Sequence, residues 1–291
     1  MPMTSGPATR PRPPEHGTDP VLVEVTRGPV VESRHRGAIA VCRPSGQLVA
    51  AWGEVGRPVF PRSAVKPLQA LPLVESGAAD RFGLSDRELA LACASHSGEA
   101  RHVGLVAAWL AGLDLSEADL ECGAHPPGNE AAARDLVLQG CQASPLHNNC
   151  SGKHAGMLTT ARHLGEPTRG YIAADHPVQR RIAQVLAELA DSPAALTPVG
   201  TDGCGIPTLA LPLAGIATAM ARMATTRPAL PRPARRRHAG CKRQWRPTPT
   251  WSAAVAVAAR RSCRPRRRFW SRVGPRASMR RCCRSADWAS P

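Results

Sequence analysis

Three lysines occur in a chain that carries 35 arginines, and two of them stand beside nucleophilic side chains. The first lies in Arg62-Ser63-Ala64-Val65-Lys66-Pro67. On a helix, residues three apart share a face, with Cβ atoms roughly 5–6 Å apart. A lysine amine in that position takes the proton of a serine hydroxyl when burial or a neighbouring cation keeps it neutral. A guanidinium cannot do so, which makes Lys66 a candidate base and Ser63 a candidate nucleophile in an arginine-rich chain. A second segment, Cys93-Ala94-Ser95-His96-Ser97-Gly98-Glu99, can turn a further serine, Ser95, toward a cleft. Standing alone, it reads rather as a helix C-cap with solvated serines. The third, His147-Asn148-Asn149-Cys150-Ser151-Gly152-Lys153-His154-Ala155-Gly156, puts Cys150 and Lys153 on one helix face. Backbone N–H groups at that helix start could hold a carboxylate, and an Asx-rich turn over a buried cysteine is the plainer reading. In the fourth, Thr201-Asp202-Gly203-Cys204-Gly205-Ile206-Pro207-Thr208, two glycines let the backbone approach another group closely. Asp202 there is a candidate to grip a substrate amine, or simply part of an ordinary loop.

The elements that must position these segments follow from apolar periodicity. Residues 21–27, 30–42 and 46–52 alternate or run apolar, with turn signals at Gly28-Pro29 and Pro44-Ser45-Gly46, and predict an antiparallel meander. From about residue 63 the period becomes helical. Ser85-Asp86-Arg87-Glu88 is a capping box opening a helix through Cys93. Residues 101–111, 130–138, 152–164 and 178–190 read as further helices, the last entered through Asp175 and Pro177. Strands first and helices afterwards predict an α+β fold rather than alternating βαβ units.

The formal charge of +16 suggests a nucleic-acid binder until it is divided along the chain. Residues 1–225 hold 19 Lys+Arg and 21 Asp+Glu, a net of −2, whereas residues 226–291 hold 19 and 1, a net of +18. The body therefore lacks the basic stripe that phosphate binding needs, and nucleic acid is disfavoured as its partner. Residues 1–19 read as a disordered leader without the apolar region of a secretory signal. No stretch is apolar and long enough to span a bilayer, and the six body cysteines read as reduced, which together place the protein in the cytoplasm. Residues 226–291 contain one Leu, no Ile and 18 Arg, and cannot bury a core. Their composition is that of a GC-rich gene read in a shifted frame. The competing reading is a basic arm.

In order and spacing, the four segments resemble the bacterial L-asparaginase II family of the Rhizobium etli type, the thermolabile asparaginases, over about residues 20–225. The resemblance implies a fold similar to serine β-lactamases and glutaminases and hydrolysis of L-asparagine to L-aspartate and ammonia. It implies that Ser63 and Lys66 form a Ser-Lys pair, that Ser95 is the second catalytic serine, and that Cys150, Lys153 and Cys204 form a zinc site. The residues alone leave open an inert buried cysteine pair. Two thiolates suit zinc, and a lysine completes the set only as a buried neutral amine. Arg62, His154 and Asp202 are then candidate substrate-binding residues. In the family the second serine works with a lysine near the C-terminus. The surroundings of Lys242 do not match that lysine, so the role is not assigned, and the family's last strands are expected to be missing. The reading takes L-asparagine as its small-molecule partner and allows a homodimer. Its alternatives are an inactive product of a disrupted asparaginase gene and a binding protein that uses its basic tail on nucleic acid.

Overall fold

A computed structural model of the 291-residue chain describes residues 19–193 and 197–225. Residues 1–18 of the leader and the arginine-rich tail (226–291), including Lys242, lie outside the described residues, whereas Asp19, the leader's last residue, is described and accepts from the Glu54 amide and from Arg57.

The first half opens with two hairpins. Strands β1 (Val21–Arg27) and β2 (Val30–Arg36) pair antiparallel across the Gly28 turn. Strands β3 (Ile39–Cys42) and β4 (Leu48–Trp52) do the same across Gly46. The expected single meander is thus two hairpins among the described residues, because the run over 30–42 breaks at Gly37-Ala38. Glycine inside a strand offers no side chain to pack and marks a bend. Val23, Val25, Val30 and Val49 remain exposed on these strands. Short strands β5 (Pro58–Val59), β6 (Val199–Thr201), β7 (Pro207–Leu209) and β8 (Leu211–Pro212) form two more antiparallel pairs, β5 with β8 and β6 with β7.

Helices make the core. A 3-10 turn, Arg62–Val65, leads directly into α1 (Lys66–Gln69), α2 (Leu71–Glu75) and α3 (Ala78–Arg81). Helix α4 (Asp86–Ala92) starts at the expected capping box: the Ser85 amide donates to Glu88 and the Arg87 amide to the Ser85 hydroxyl. Then follow α5 (Ala100–Ala111), α6 (Glu130–Leu138), α7 (Ser151–Leu164), α8 (Pro177–Leu189) and α9 (Leu213–Ala224). The N-cap of α8 is His176, whose ring accepts the Val178 amide, rather than the neighbouring Asp175. Helix α9 packs on β3 and α8, tying the helical layer to the second hairpin. This mixture is compatible with an α+β fold.

Helix α7 is the centre of the molecule, packed against α2, α3, α4, α5 and α8. It is buried continuously from Ser151 to Ala161, although Ser151, Lys153, His154, Thr159 and Thr160 are polar. Buried polar groups must find partners. Thr159 and Thr160 donate to carbonyls one turn back, Ala155 and Gly156, and Trp109 donates its indole N–H to Thr159 Oγ1 at 3.0 Å. The remaining polar residues, at the N-terminal end, face the site.

Candidate active site

The 3-10 turn that carries Ser63 is held in an unusual backbone. Arg62 has φ +46°, a left-handed conformation that costs a non-glycine residue energy. Its guanidinium is exposed, and Nε donates to Asp202 Oδ1 at 3.3 Å across the loop before β7. Ser63 and Ala64 are exposed, and the chain then dives so that Lys66 is fully buried. The change from 3-10 to α geometry between them carries the lysine away from its neighbour. Among the described residues no hydrogen bond joins Ser63 Oγ to Lys66 Nζ. Lys66 Nζ donates to Ser95 Oγ at 2.8 Å, to Ala94 O at 3.1 Å and to Asn149 O at 3.5 Å. The serine-lysine contact formed is therefore Lys66 with Ser95, delivered by the turn after α4, while Ser63 stands three residues before the amine. Burial holds the Lys66 amine below its ordinary range, and Lys153 reinforces this against the opposing pull of Cys150 and Cys204.

Behind Lys66, the second lysine meets both cysteines. Cys150 caps the N-terminus of α7, Lys153 lies one turn on, and Cys204 comes from the glycine-flanked loop between β6 and β7. All three are buried. Lys153 Nζ is 3.1 Å from Cys204 Sγ and 4.0 Å from Asp202 Oδ2. The neighbouring Cys204, aided by Lys153 and Lys66, outweighs burial and lowers the Cys150 thiol to about 6, while Cys150 and burial push the Cys204 thiol up. Asp202 lies below the usual carboxylate range: burial opposes its ionisation, but the Gly203 amide, Lys153 and Arg62 together outweigh that cost.

His154 is fully buried behind these thiols and not on the open surface. Its Nδ1 is 2.7 Å from the hydroxyl of Tyr171, which also accepts the Glu121 amide at 2.9 Å. Its Nε2 has no hydrogen-bond partner among the described residues.

A metal at this place would draw on Cys150, Cys204 and Lys153. Two sulfurs and a nitrogen converging in a dry pocket suit zinc, and a thiol near 6 gives up its proton readily to a metal. Among the described residues no group of three His, Cys, Asp or Glu side chains could hold a metal.

Of the sequence-predicted residues, Lys66, Ser95, Cys150, Lys153, Cys204, His154 and Asp202 come together, with Arg62 and Ser63 at the exposed edge. Sequence reasoning missed those that join them. His96 bonds through Nε2 to Ser151 Oγ at 2.8 Å and accepts the Gly98 amide at Nδ1. Asn148 ties the start of α7 to Cys122 O and Gly123 O, at 2.8 and 3.1 Å. Tyr171 orients His154. The density of Asn and His at 147–154 was a signal for Asn148 and the Ser95-His96-Ser97 run one for His96, whereas Tyr171 stands 17 residues from its partner and left none.

In comparisons with known proteins, the chain finds no match among the curated ones. The family model described as L-asparaginase II matches residues 23–250, a span that holds all four chemical segments and runs past residue 225. The chain belongs to the L-asparaginase II family, a family of amidohydrolase enzymes.

Proposed function

We propose that this chain hydrolyses L-asparagine to L-aspartate and ammonia by serine acyl transfer, in the manner of the Rhizobium etli type. The observation that carries the reading is a fully buried lysine amine 2.8 Å from a serine hydroxyl. A buried amine held below its ordinary range is a base, and the serine it touches is a route for the proton. In this reading Ser63, at the open edge, attacks the side-chain amide carbon. Its proton passes to Lys66 with Ser95 assisting, and is returned to the leaving ammonia. Water then cleaves the aspartyl ester. Asp202, ionised, takes the substrate's α-amino group, and Arg62, anchored on Asp202, takes its α-carboxylate. His154, fully buried and bonded to Tyr171, supports the start of α7 from behind. Cys150, Lys153 and Cys204 would hold zinc, whose positive charge, when bound, supplies electrostatic orientation of the surrounding groups.

The 2.8 Å Lys66–Ser95 contact favours a second reading in which Ser95 itself is the nucleophile and Ser63 binds substrate. Rapid acid quench during turnover, followed by peptide mapping, separates the two. An aspartyl ester on Ser63 supports the first reading and one on Ser95 the second. Turnover with full activity in a variant lacking both hydroxyls would end acyl transfer by either serine.

A further inference from the structure

Between the lysine-serine contact and the thiol cluster stands one residue, Asn149. Its carbonyl accepts from Lys66 Nζ at 3.5 Å and from the His96 amide at 3.1 Å, and so faces the Ser95 turn. Its side-chain amide lies 3.1 Å from Cys150 Sγ. Its own N–H donates, at 2.9 Å, to His125 Nε2.

His125 is set up to receive that proton. Its Nδ1 lies 2.8 Å from Pro126 O, which can only accept, so Nδ1 carries the hydrogen and Nε2 presents its lone pair. The segment carrying His125 is fastened at both sides. Asn148 holds Cys122 O and Gly123 O, and the Asn129 amide donates to Ser97 O. Against Pro127 the fit is so close that a Cβ on Gly98 would lie 2.9 Å from Pro127 Cα and 3.0 Å from His147 O. A fixed loop, a fixed tautomer and a single acceptor thus meet the N–H side of a residue whose carbonyl faces Lys66, while the peptide carrying that carbonyl is held at its own N–H by Asn148 Oδ1 at 2.9 Å.

We propose that His125 is a positioning residue for Lys66: by accepting the Asn149 N–H it fixes the peptide that enters Asn149 and so narrows the backbone conformation at that residue, and through the carbonyl that leaves it the position of the lysine amine beside Ser95. His125 itself does not touch the reacting atoms. The kinetic part of this inference rests on the acyl-transfer reading above, whereas the structural part does not.

The test compares His125→Leu, which removes the acceptor, with His125→Gln, whose carbonyl can replace it. In the full-length protein, His125→Leu lowers kcat about tenfold with KM changed by less than about twofold, as expected when a single aligned hydrogen bond is lost from the transition state. His125→Gln restores most of kcat. Two readouts need no turnover: hydrogen-exchange protection of the Asn149 amide and the 15N resonance of Lys66 Nζ. Both change in His125→Leu and return in His125→Gln. Equal loss of kcat in both variants, or an Asn149 amide as protected in His125→Leu as in the wild type, overturns the proposal. If the wild type releases no ammonia from asparagine, the acyl-transfer reading fails, and the two spectroscopic readouts still decide the role of His125.

Discussion

Helix α7 meets α4 through Gly152, and adding one methyl group there should separate the two helices. A Cβ at Gly152 would stand 2.5 Å from Leu91 Cγ, 2.8 Å from Leu91 O and 3.0 Å from Leu91 C. Carbon atoms in contact prefer roughly 3.5–4.0 Å, so all three approaches are repulsive. Two of the three atoms are backbone, which no rotamer change can move. Gly156, one turn on and on the same face, gives the control. Its Cβ would meet Leu73 Cδ2 at 3.3 Å, Ala92 Cβ at 3.5 Å and Trp109 Cη2 at 3.7 Å, all side-chain atoms, with the tightest at the end of a flexible leucine. Alanine gains about 1 kcal/mol over glycine in a helix interior, as at Gly156, and at most that in the first turn, where Gly152 lies. Overpacking a core costs about 1–3 kcal/mol and occasionally more, and the backbone clash places Gly152 at or above the upper end. The net expectation is a loss of about 2 kcal/mol or more for Gly152→Ala, and a change between about zero and a 1 kcal/mol gain for Gly156→Ala. Urea unfolding of the two variants beside the wild type reads the difference directly as a midpoint shift. A Gly152→Ala protein as stable as the wild type, or equal losses in both variants, would refute the packing argument. Because Cys150 and Lys153 flank Gly152, the same variant should also disturb the site.

Two titratable groups, the half-buried Glu75 and the buried His96, give pH predictions of opposite sign. Glu75 is raised from 4.5 to about 6 by burial and then by Glu188, so its stabilising contribution is full below about 4.5 and is lost as pH rises through about 6. The loss is about 2 kcal/mol, and Glu75→Gln should remove that slope from urea midpoints measured across the window; an unchanged slope would exclude Glu75 as its source. His96 is lowered from 6.5 to about 4 by burial first and then by the charges of His102 and Lys66. Its contribution is full above about 6.5 and falls away as pH drops toward about 4, costing about 3 kcal/mol as protonation takes the Gly98 amide's acceptor. His96→Asn should flatten the acid limb of the same curve, and an acid limb identical to that of the wild type would contradict the assignment.

Local signals in the sequence located most elements, and long-range contacts account for what it left hidden. The capping box at Ser85 and the apolar period of residues 130–138 placed α4 and α6, because caps and amphipathic faces are read within one or two turns. Helix α7 begins at Ser151, one residue before the period begins, since its N-cap is Cys150, which makes no side-chain capping bond. The run 30–42 looked continuous because valine alternation masked the bend at Gly37. At the site, lysine scarcity marked Lys66 and Lys153, both of which prove buried. The spacing of Ser63 and Lys66 assumed one regular helix. The 3-10 turn sends the amine instead to Ser95, 29 residues later, and such a contact leaves no periodic trace. His125 and Tyr171 were invisible for the same reason: each acts on a residue 17 or more positions away.

The central claim is that Lys66 is the base of an asparagine-hydrolysing site. Ammonia release from L-asparagine by the purified full-length chain, beside Lys66→Met, tests it most directly. The account predicts release by the wild type and a fall in kcat of about 10²–10⁴ in Lys66→Met, the range a positioned general base contributes, with the circular dichroism unchanged. A folded wild type that releases no ammonia, or a Lys66→Met protein that turns over at the wild-type rate, would contradict it.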